Sequence, residues 1–179
     1  VEKISTKRKV PQALILTPTR ELAKQVGNEV HKFGKYKKKL KTAVIFGGVS
    51  FRDQLRDIRD GAQIIIATPG RLLDHLEQST IDLSAINMLV LDEADRMLDM
   101  GFRDDVEKIL PETRLGSKPK PHKASSIELK NNINAELFKN WILNQIKDKN
   151  DMLFVNLCPT LKIDQIISFL DMANNARKS

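Results

Sequence analysis

"LVLDEADRMLDMGF", Leu89 to Phe102, decides how the chain is read. Apolar residues run directly into Asp92, Glu93 and Asp95, and then into a segment with helical spacing. An apolar run without polar alternation is what a strand buried on both faces of a parallel sheet requires. Carboxylates crowded at the end of such a strand repel one another unless a cation or a helix terminus offsets them. In an open parallel sheet the carboxyl ends of the strands face one crevice, where loops and helix N-termini bind ligands. The acids mark that crevice.

The same arrangement recurs upstream. Apolar runs predict strands at Ala13 to Thr17, Thr42 to Phe46, Gln63 to Ala67 and Met88 to Leu91. Amphipathic spacing predicts helices at Arg20 to Gly34, Phe51 to Arg59, Gly70 to Gln78 and Asp95 to Leu110, with Leu22, Val26, Val30 and Phe33 on one face of the first. Alternating strands and helices specify an α/β fold with a parallel sheet. Each expected strand ends in an unusual cluster: "TPTREL" after the first, "GG" after the second, "TPGR" after the third, "DEAD" after the fourth. All four should line one edge.

The residue types suit phosphate chemistry. A strand-end carboxylate such as Asp92 can hold Mg²⁺ directly or through a water, and Glu93 can orient and deprotonate a water for in-line attack on a γ-phosphate. Glycines and helix N-termini expose backbone N–H groups, while threonine hydroxyls and arginine guanidinium groups complete contacts to phosphate oxygens. Thr19, Arg20, Gly47, Gly48, Thr68, Gly70 and Arg71 form such a track. Plainer roles exist: Asp92 as a helix N-cap, Gly47 and Gly48 as a turn, Arg71 paired with Asp74 on its own helix.

In their order and spacing, "TPTRELAKQV", "GG", "ATPGRLLDHL" and "VLDEADRMLDMGF" resemble successive motifs of the DEAD-box ATP-dependent RNA helicases, over about residues 13–114. The resemblance implies a RecA-like, P-loop NTPase type of sheet with flanking helices. It implies ATP and Mg²⁺ as cofactors, with Asp92 at the metal, Asp92 and Glu93 at the nucleotide, and Glu93, Asp92 and Asp95 as catalytic residues. Asp95 would join a network linking hydrolysis to RNA binding. The threonine, glycine and arginine positions above would contact the RNA backbone, with Pro18 and Pro69 fixing their turns. The implied partners are RNA and a second RecA-like domain, and no membrane. The oligomeric state stays open.

The resemblance has gaps. No GxxxxGK[ST] loop occurs in the 179 residues, so the expected sheet lacks the family's first strand and phosphate loop. The Ser-Ala-Thr motif expected after the acidic strand's helix is missing too. The chain starts without Met, which points to a fragment. Residues 115–126, "LGSKPKPHKASS", read as an exposed linker, and asparagine becomes frequent beyond it. Ser125 and Glu128 form a capping box for a helix with Ile133, Leu137 and Trp141 on one stripe. "MLFVNL", Met152 to Leu157, predicts a strand, and Ile163 to Ala173 a second helix, making an αβα tail over 127–179. This tail either replaces the family's next unit or stands apart. Its end resembles the small periplasmic domain of the ExbD/TolR transport proteins.

Composition is consistent with this reading. At 41% hydrophobic and 30% charged residues the chain suits a globular domain, and its net charge of +7 favours polyanions. No apolar run approaches the roughly 18 residues of a spanning helix, and "VEKISTKRKV" lacks a signal-peptide core. The single Cys158 excludes an internal disulfide and a Cys-based zinc site, and the three scattered histidines give no metal-ligand spacing. An intracellular, cytoplasmic setting is expected. The basic run His31 to Lys41 reads as a solvated helix end and loop. Three functions are carried forward: a helicase fragment, an RNA-binding or regulatory fragment without ATPase activity, and an adaptor acting through the tail.

Overall fold

Strands apolar on both sides have to be covered on both sides, and the chain does this with a five-stranded parallel sheet. The computed structural model describes residues 4–34 and 39–114, and the backbone of 152–155. In chain order these form β1 (Ala13–Leu16), α1 (Arg20–Gly34), β2 (Thr42–Ile45), α2 (Phe51–Arg59), β3 (Ile64–Ala67), α3 (Pro69–Glu77), β4 (Met88–Leu91), α4 (Ala94–Asp99), α5 (Arg103–Ile109), a 3₁₀ turn (Leu110–Glu112) and β5 (Met152–Val155). The sheet order is β2-β3-β1-β4-β5.

Alternate side chains of each strand enter opposite cores. Leu14, Leu16, Ile65, Leu89 and Leu91 join Leu72, Met97, Val106 and Ile109 from the helices on one side. Ala13, Ile64, Ile66 and Met88 join Ala23, Val26 and Val30 of α1 on the other. Phe33, expected on the buried stripe of α1, is instead 40% exposed in the last turn of the helix. At the amino-terminal edge of the sheet two buried glutamines anchor incoming chain. The Gln12 amide holds Ser5 through its backbone N–H and carbonyl at 2.9 and 2.8 Å, and Gln63 accepts from the Lys41 N–H at 2.8 Å.

The helix expected over Asp95 to Leu110 is two helices. Gly101, at φ +79°, takes the left-handed conformation just past α4. The Phe102 N–H then donates to the Met97 carbonyl and the Gly101 N–H to the Leu98 carbonyl, both at 2.9 Å. This is the Schellman closure of a helix end, and glycine is the residue that adopts it without a Cβ penalty. The spacing of Leu98, Phe102, Val106 and Ile109 stays helical across the break, so periodicity alone runs the two together.

β5 pairs in parallel with β4, Met88 opposite Met152 and Leu91 opposite Val155. The strand expected at Met152 to Leu157 is therefore part of the main sheet. The linker, the Trp141 stripe, the second tail helix, Cys158 and the ExbD/TolR-like end lie outside the described residues. No helix among the described residues is long and apolar enough to cross a membrane.

Candidate nucleotide and nucleic-acid interface

Backbone hydrogen bonds just past the strand ends bring the four clusters to one edge. The Asp92 N–H donates to the Leu16 carbonyl, the Thr17 N–H to the Ala67 carbonyl, and the Thr68 N–H to the Ile45 carbonyl, each at 2.9 Å. The first residue after one strand is thereby tied to the last residue of its neighbour, from β4 across β1 and β3 to β2. The edge reads, in order, acids, "TPTR", "TPGR", "GG".

Thr19 starts α1. Its Oγ1 accepts from the Leu22 N–H at 3.2 Å, the N-cap bond that satisfies one orphan donor of the first turn. Thr17 is buried and its hydroxyl donates to the Thr19 carbonyl at 3.2 Å. Thr68 occupies the corresponding place before α3, with Pro69 opening the helix, and its hydroxyl makes no capping bond.

Arg20, exposed at the start of α1, reaches across to the turn after β2. Its guanidinium lies against Gly48, in the space a Cβ would need, and Gly48 has φ +79°. At Gly47 a Cβ would meet nothing within 4 Å. Arg71 approaches the same turn from α3: Nη2 donates to the Val49 carbonyl at 3.0 Å, Nε to Gln54 Oε1 at 3.2 Å, and Nη1 meets Asp74 Oδ2 at 3.4 Å. The expected pairing with Asp74 is thus present, as the longest of three bonds. The structure brings Arg20, Gly48 and Arg71 together around residues 47–49.

The acids sit one strand beyond. Asp92 is 4% exposed, and the residue at the N-cap position of α4 is Glu93, which makes no side-chain cap bond. The plainer role for Asp92 as an N-cap is therefore not taken. Glu93 has φ 51° and ψ 51°, the left-handed region that costs a non-glycine residue about 1–2 kcal/mol. Strain held at such a place usually aims a side chain. Glu93 Oε2 accepts from Arg96 Nη1 at 3.1 Å, one turn along the helix. Asp95 Oδ1 is buried without a hydrogen-bond partner. An orphaned carboxylate oxygen of this kind is costly and calls for a donor or a cation.

No group of three or more His, Cys, Asp or Glu side chains among the described residues is arranged to hold a metal ion. Mg²⁺ asks for less, because it keeps several waters and binds through one or two carboxylates plus phosphate oxygens. The hard oxygen donors of Asp92 and Glu93 fit that demand. A groove of about 710 Å³, lined by Leu76, Ile81, Lys108 and Glu112, lies at the other end of α3 from Thr68 and does not include the acids.

Motif reading did not find Phe51, Gln54 and His75. The His75 ring stacks on Phe51 with centroids 4.0 Å apart and planes at 12°, and its Nε2 meets Gln54 Oε1 at 3.2 Å. Burial, followed by the nearby Arg71 charge, pushes His75 down to about 4, with Asp74 opposing. In the basic run His31 to Lys41, Lys32 pairs with Glu29 at 2.6 Å, and residues 35–38 lie outside the described residues.

A family model, DEAD/DEAH box helicase, matches residues 1–127, more of the chain at both ends than the motifs alone cover. The chain belongs to the DEAD/DEAH box helicase family. It is 55% identical over 113 residues to the ATP-dependent RNA helicase DeaD of Mycobacterium tuberculosis, covering 63% of this chain and 20% of that protein. It is 48% identical over 110 residues to the DeaD helicase of Escherichia coli, covering 62% of this chain and 18% of that one. The chain thus spans about a fifth of the length of these curated relatives. Among solved structures, a DEAD box protein from Methanococcus jannaschii superimposes with a TM-score of 0.61 at 31% identity, over 95% of this chain and 36% of that one. The yeast DEAD-box splicing factor Prp28 gives a TM-score of 0.60 at 31% identity, over 88% and 30%. The sheet of this DEAD/DEAH box chain, with its flanking helices, is RecA-like.

Proposed function

We propose that this chain is part of an ATP-dependent RNA helicase, in which it supplies a track for the RNA backbone and the acids for Mg-ATP hydrolysis. The supporting observation is the tied edge: three 2.9 Å backbone bonds set the acids beside the "TPTR", "TPGR" and "GG" clusters. Thr19, Arg20, Gly47, Gly48, Thr68, Gly70 and Arg71 would meet phosphate oxygens through hydroxyls, guanidinium groups and backbone N–H groups. Such contacts hold a strand without reading its bases.

Asp92 would hold Mg²⁺, directly or through a water. Bound Mg²⁺ neutralises charge building on the phosphate oxygens. Glu93, aimed by its left-handed backbone, would orient a water and accept its proton. Asp95, with one oxygen unpartnered, would take a donor from the coupling network between hydrolysis and RNA. In the intact protein the nucleotide would lie between this domain and a second RecA-like one.

For the 179 residues by themselves we propose RNA binding without turnover, since the sequence holds no GxxxxGK[ST] loop to cradle the β and γ phosphates. The test is titration of several unrelated single-stranded RNAs with the full chain at two salt concentrations. Affinity should be alike across sequences and fall with salt, and Arg20→Ala and Arg71→Ala should each lower it for all of them. A strong base preference, or binding indifferent to salt, would refute the reading.

A further inference from the structure

Arg71 is more constrained than an exposed arginine contacting a polyanion needs to be. Its side chain is only 17% exposed and its Cζ lies 4.9 Å from the centroid of the Phe51 ring. A flexible arginine would lose side-chain entropy on meeting a phosphate, whereas one already fixed loses little.

The fixing runs through Gln54. This side chain is 4% exposed and both ends of its amide are used. Its Nε2 donates to the Phe46 carbonyl at 2.8 Å, on the residue immediately before Gly47. Its Oε1 accepts from Arg71 Nε at 3.2 Å. An arginine N–H can only donate, so the amide has one workable orientation, oxygen toward Arg71 and nitrogen toward Phe46. His75 Nε2 faces that same oxygen at 3.2 Å, so the neutral ring donates there as the Nε2–H tautomer, which leaves Nδ1 to accept the Thr80 hydroxyl proton in place of the His75 carbonyl 2.9 Å from that hydroxyl. The ring is held in turn by Thr80, whose Oγ1 is 2.8 Å from Nδ1. Among the described residues, the remaining N–H groups of Nη1 and Nη2 have no partner beyond Asp74 and Val49.

The geometry points to Gln54 as the positioning residue for Arg71, with His75 locking the Gln54 amide, so that the guanidinium is set relative to the Gly47–Gly48 turn before RNA arrives. The relay connects the loop after β2 with the first turn of α3, two segments that the sequence separates. Its function for RNA rests on the reading of Arg71 as a phosphate contact; the positioning itself does not.

The test uses the full 179-residue chain and the variants Gln54→Met, Arg71→Ala and the double variant. Methionine keeps the volume of glutamine and removes both ends of the relay. The first readout needs no RNA: the Arg71 Nε–H resonance, assigned by its absence in Arg71→Ala, should be sharp in the parent and lost to solvent exchange in Gln54→Met. The second is single-stranded RNA affinity. Gln54→Met should lose on the order of tenfold, as Arg71→Ala does, and the double variant should lose no more than either alone. The slope of log affinity against log salt should drop by about 0.7 in each. Should Gln54→Met fail to fold by circular dichroism, His75→Phe, which keeps the stack on Phe51, takes its place under the same criteria. A sharp Arg71 resonance in the folded variant, or additive losses in the double variant, overturns the proposal. Loss of the resonance in Gln54→Met with unchanged affinity in Arg71→Ala upholds the positioning and removes Arg71 from the RNA track.

Discussion

The Arg20 guanidinium lies against the α-carbon of Gly48, in the space that any side chain at position 48 would occupy. A Cβ at position 48 would have to push aside that guanidinium, the movable end of an exposed side chain, while the φ of +79° strains any residue but glycine. Gly48→Ala should therefore lower stability by about 1–2 kcal/mol and displace Arg20, weakening RNA binding. Gly47→Ala, where a Cβ meets nothing within 4 Å, should cost well under half of that. Urea unfolding and RNA titration of the two variants side by side make the comparison. Equal losses would show that the turn is constrained differently.

His75 gives the chain an acid sensitivity that can be isolated. Its folded value of about 4 lies below the ordinary 6.5, so between those limits the unfolded chain binds a proton that the folded chain does not. Stability from this group is fully present above about pH 6.5 and falls away as pH drops toward 4, by roughly 2–3 kcal/mol in all. His75→Gln lacks the titration. The difference in melting temperature between the parent and His75→Gln should narrow or reverse from pH 7 to pH 4.5, and a difference that stays constant would contradict the assignment.

Glu93 holds its left-handed backbone at a cost, and its side-chain bond is to Arg96, whose own side chain is mostly exposed, which keeps the pair's value small. Glu93→Gly should leave the chain at least as stable as the parent, gaining up to about 1 kcal/mol after the entropy of glycine is counted. Glu93→Gln, which keeps the strain, should be close to neutral. Thermal melts of both variants decide this; marked destabilisation by glycine would mean that the carboxylate has a stabilising partner.

Phosphate release from ATP by the 179-residue chain should match the background rate, with or without RNA, and Glu93→Gln should leave it unchanged. Metal, water orientation and phosphate cradle are needed together. Turnover that disappears in Glu93→Gln would show that this chain by itself assembles a working site.

The parts of the fold that are legible in the sequence are those that rest on local pattern. β4 begins and ends where its apolar run does, and α1 and α2 span the residues that amphipathic spacing assigns to them, Arg20 to Gly34 and Phe51 to Arg59. Once the strand ends are placed, the parallel topology carries Thr19, Arg20, Gly48, Arg71 and Asp92 to one edge. The break at Gly101 escapes periodicity, because Leu98 and Phe102 keep helical spacing across it. The Gln54–His75 contact joins residues 21 positions apart on different helices, and neither helix carries a local sign of the other. Polar side chains buried between two elements are where one-dimensional pattern has least to say.

The bonds that tie Thr17, Thr68 and Asp92 to neighbouring strands are all made by the main chain, so they fix the edge as a ruler whose gradations are strand spacings. Neighbouring strands lie about 4.8 Å apart, which places the outer two of β1, β3 and β2 about 10 Å from each other. A span of that length meets only a few successive phosphates of one strand. For the RNA proposed to lie on it, each further nucleotide adds another place to start rather than another grip. The ruler keeps its length whatever side chains stand at its marks, because changing them leaves the pitch of the sheet intact.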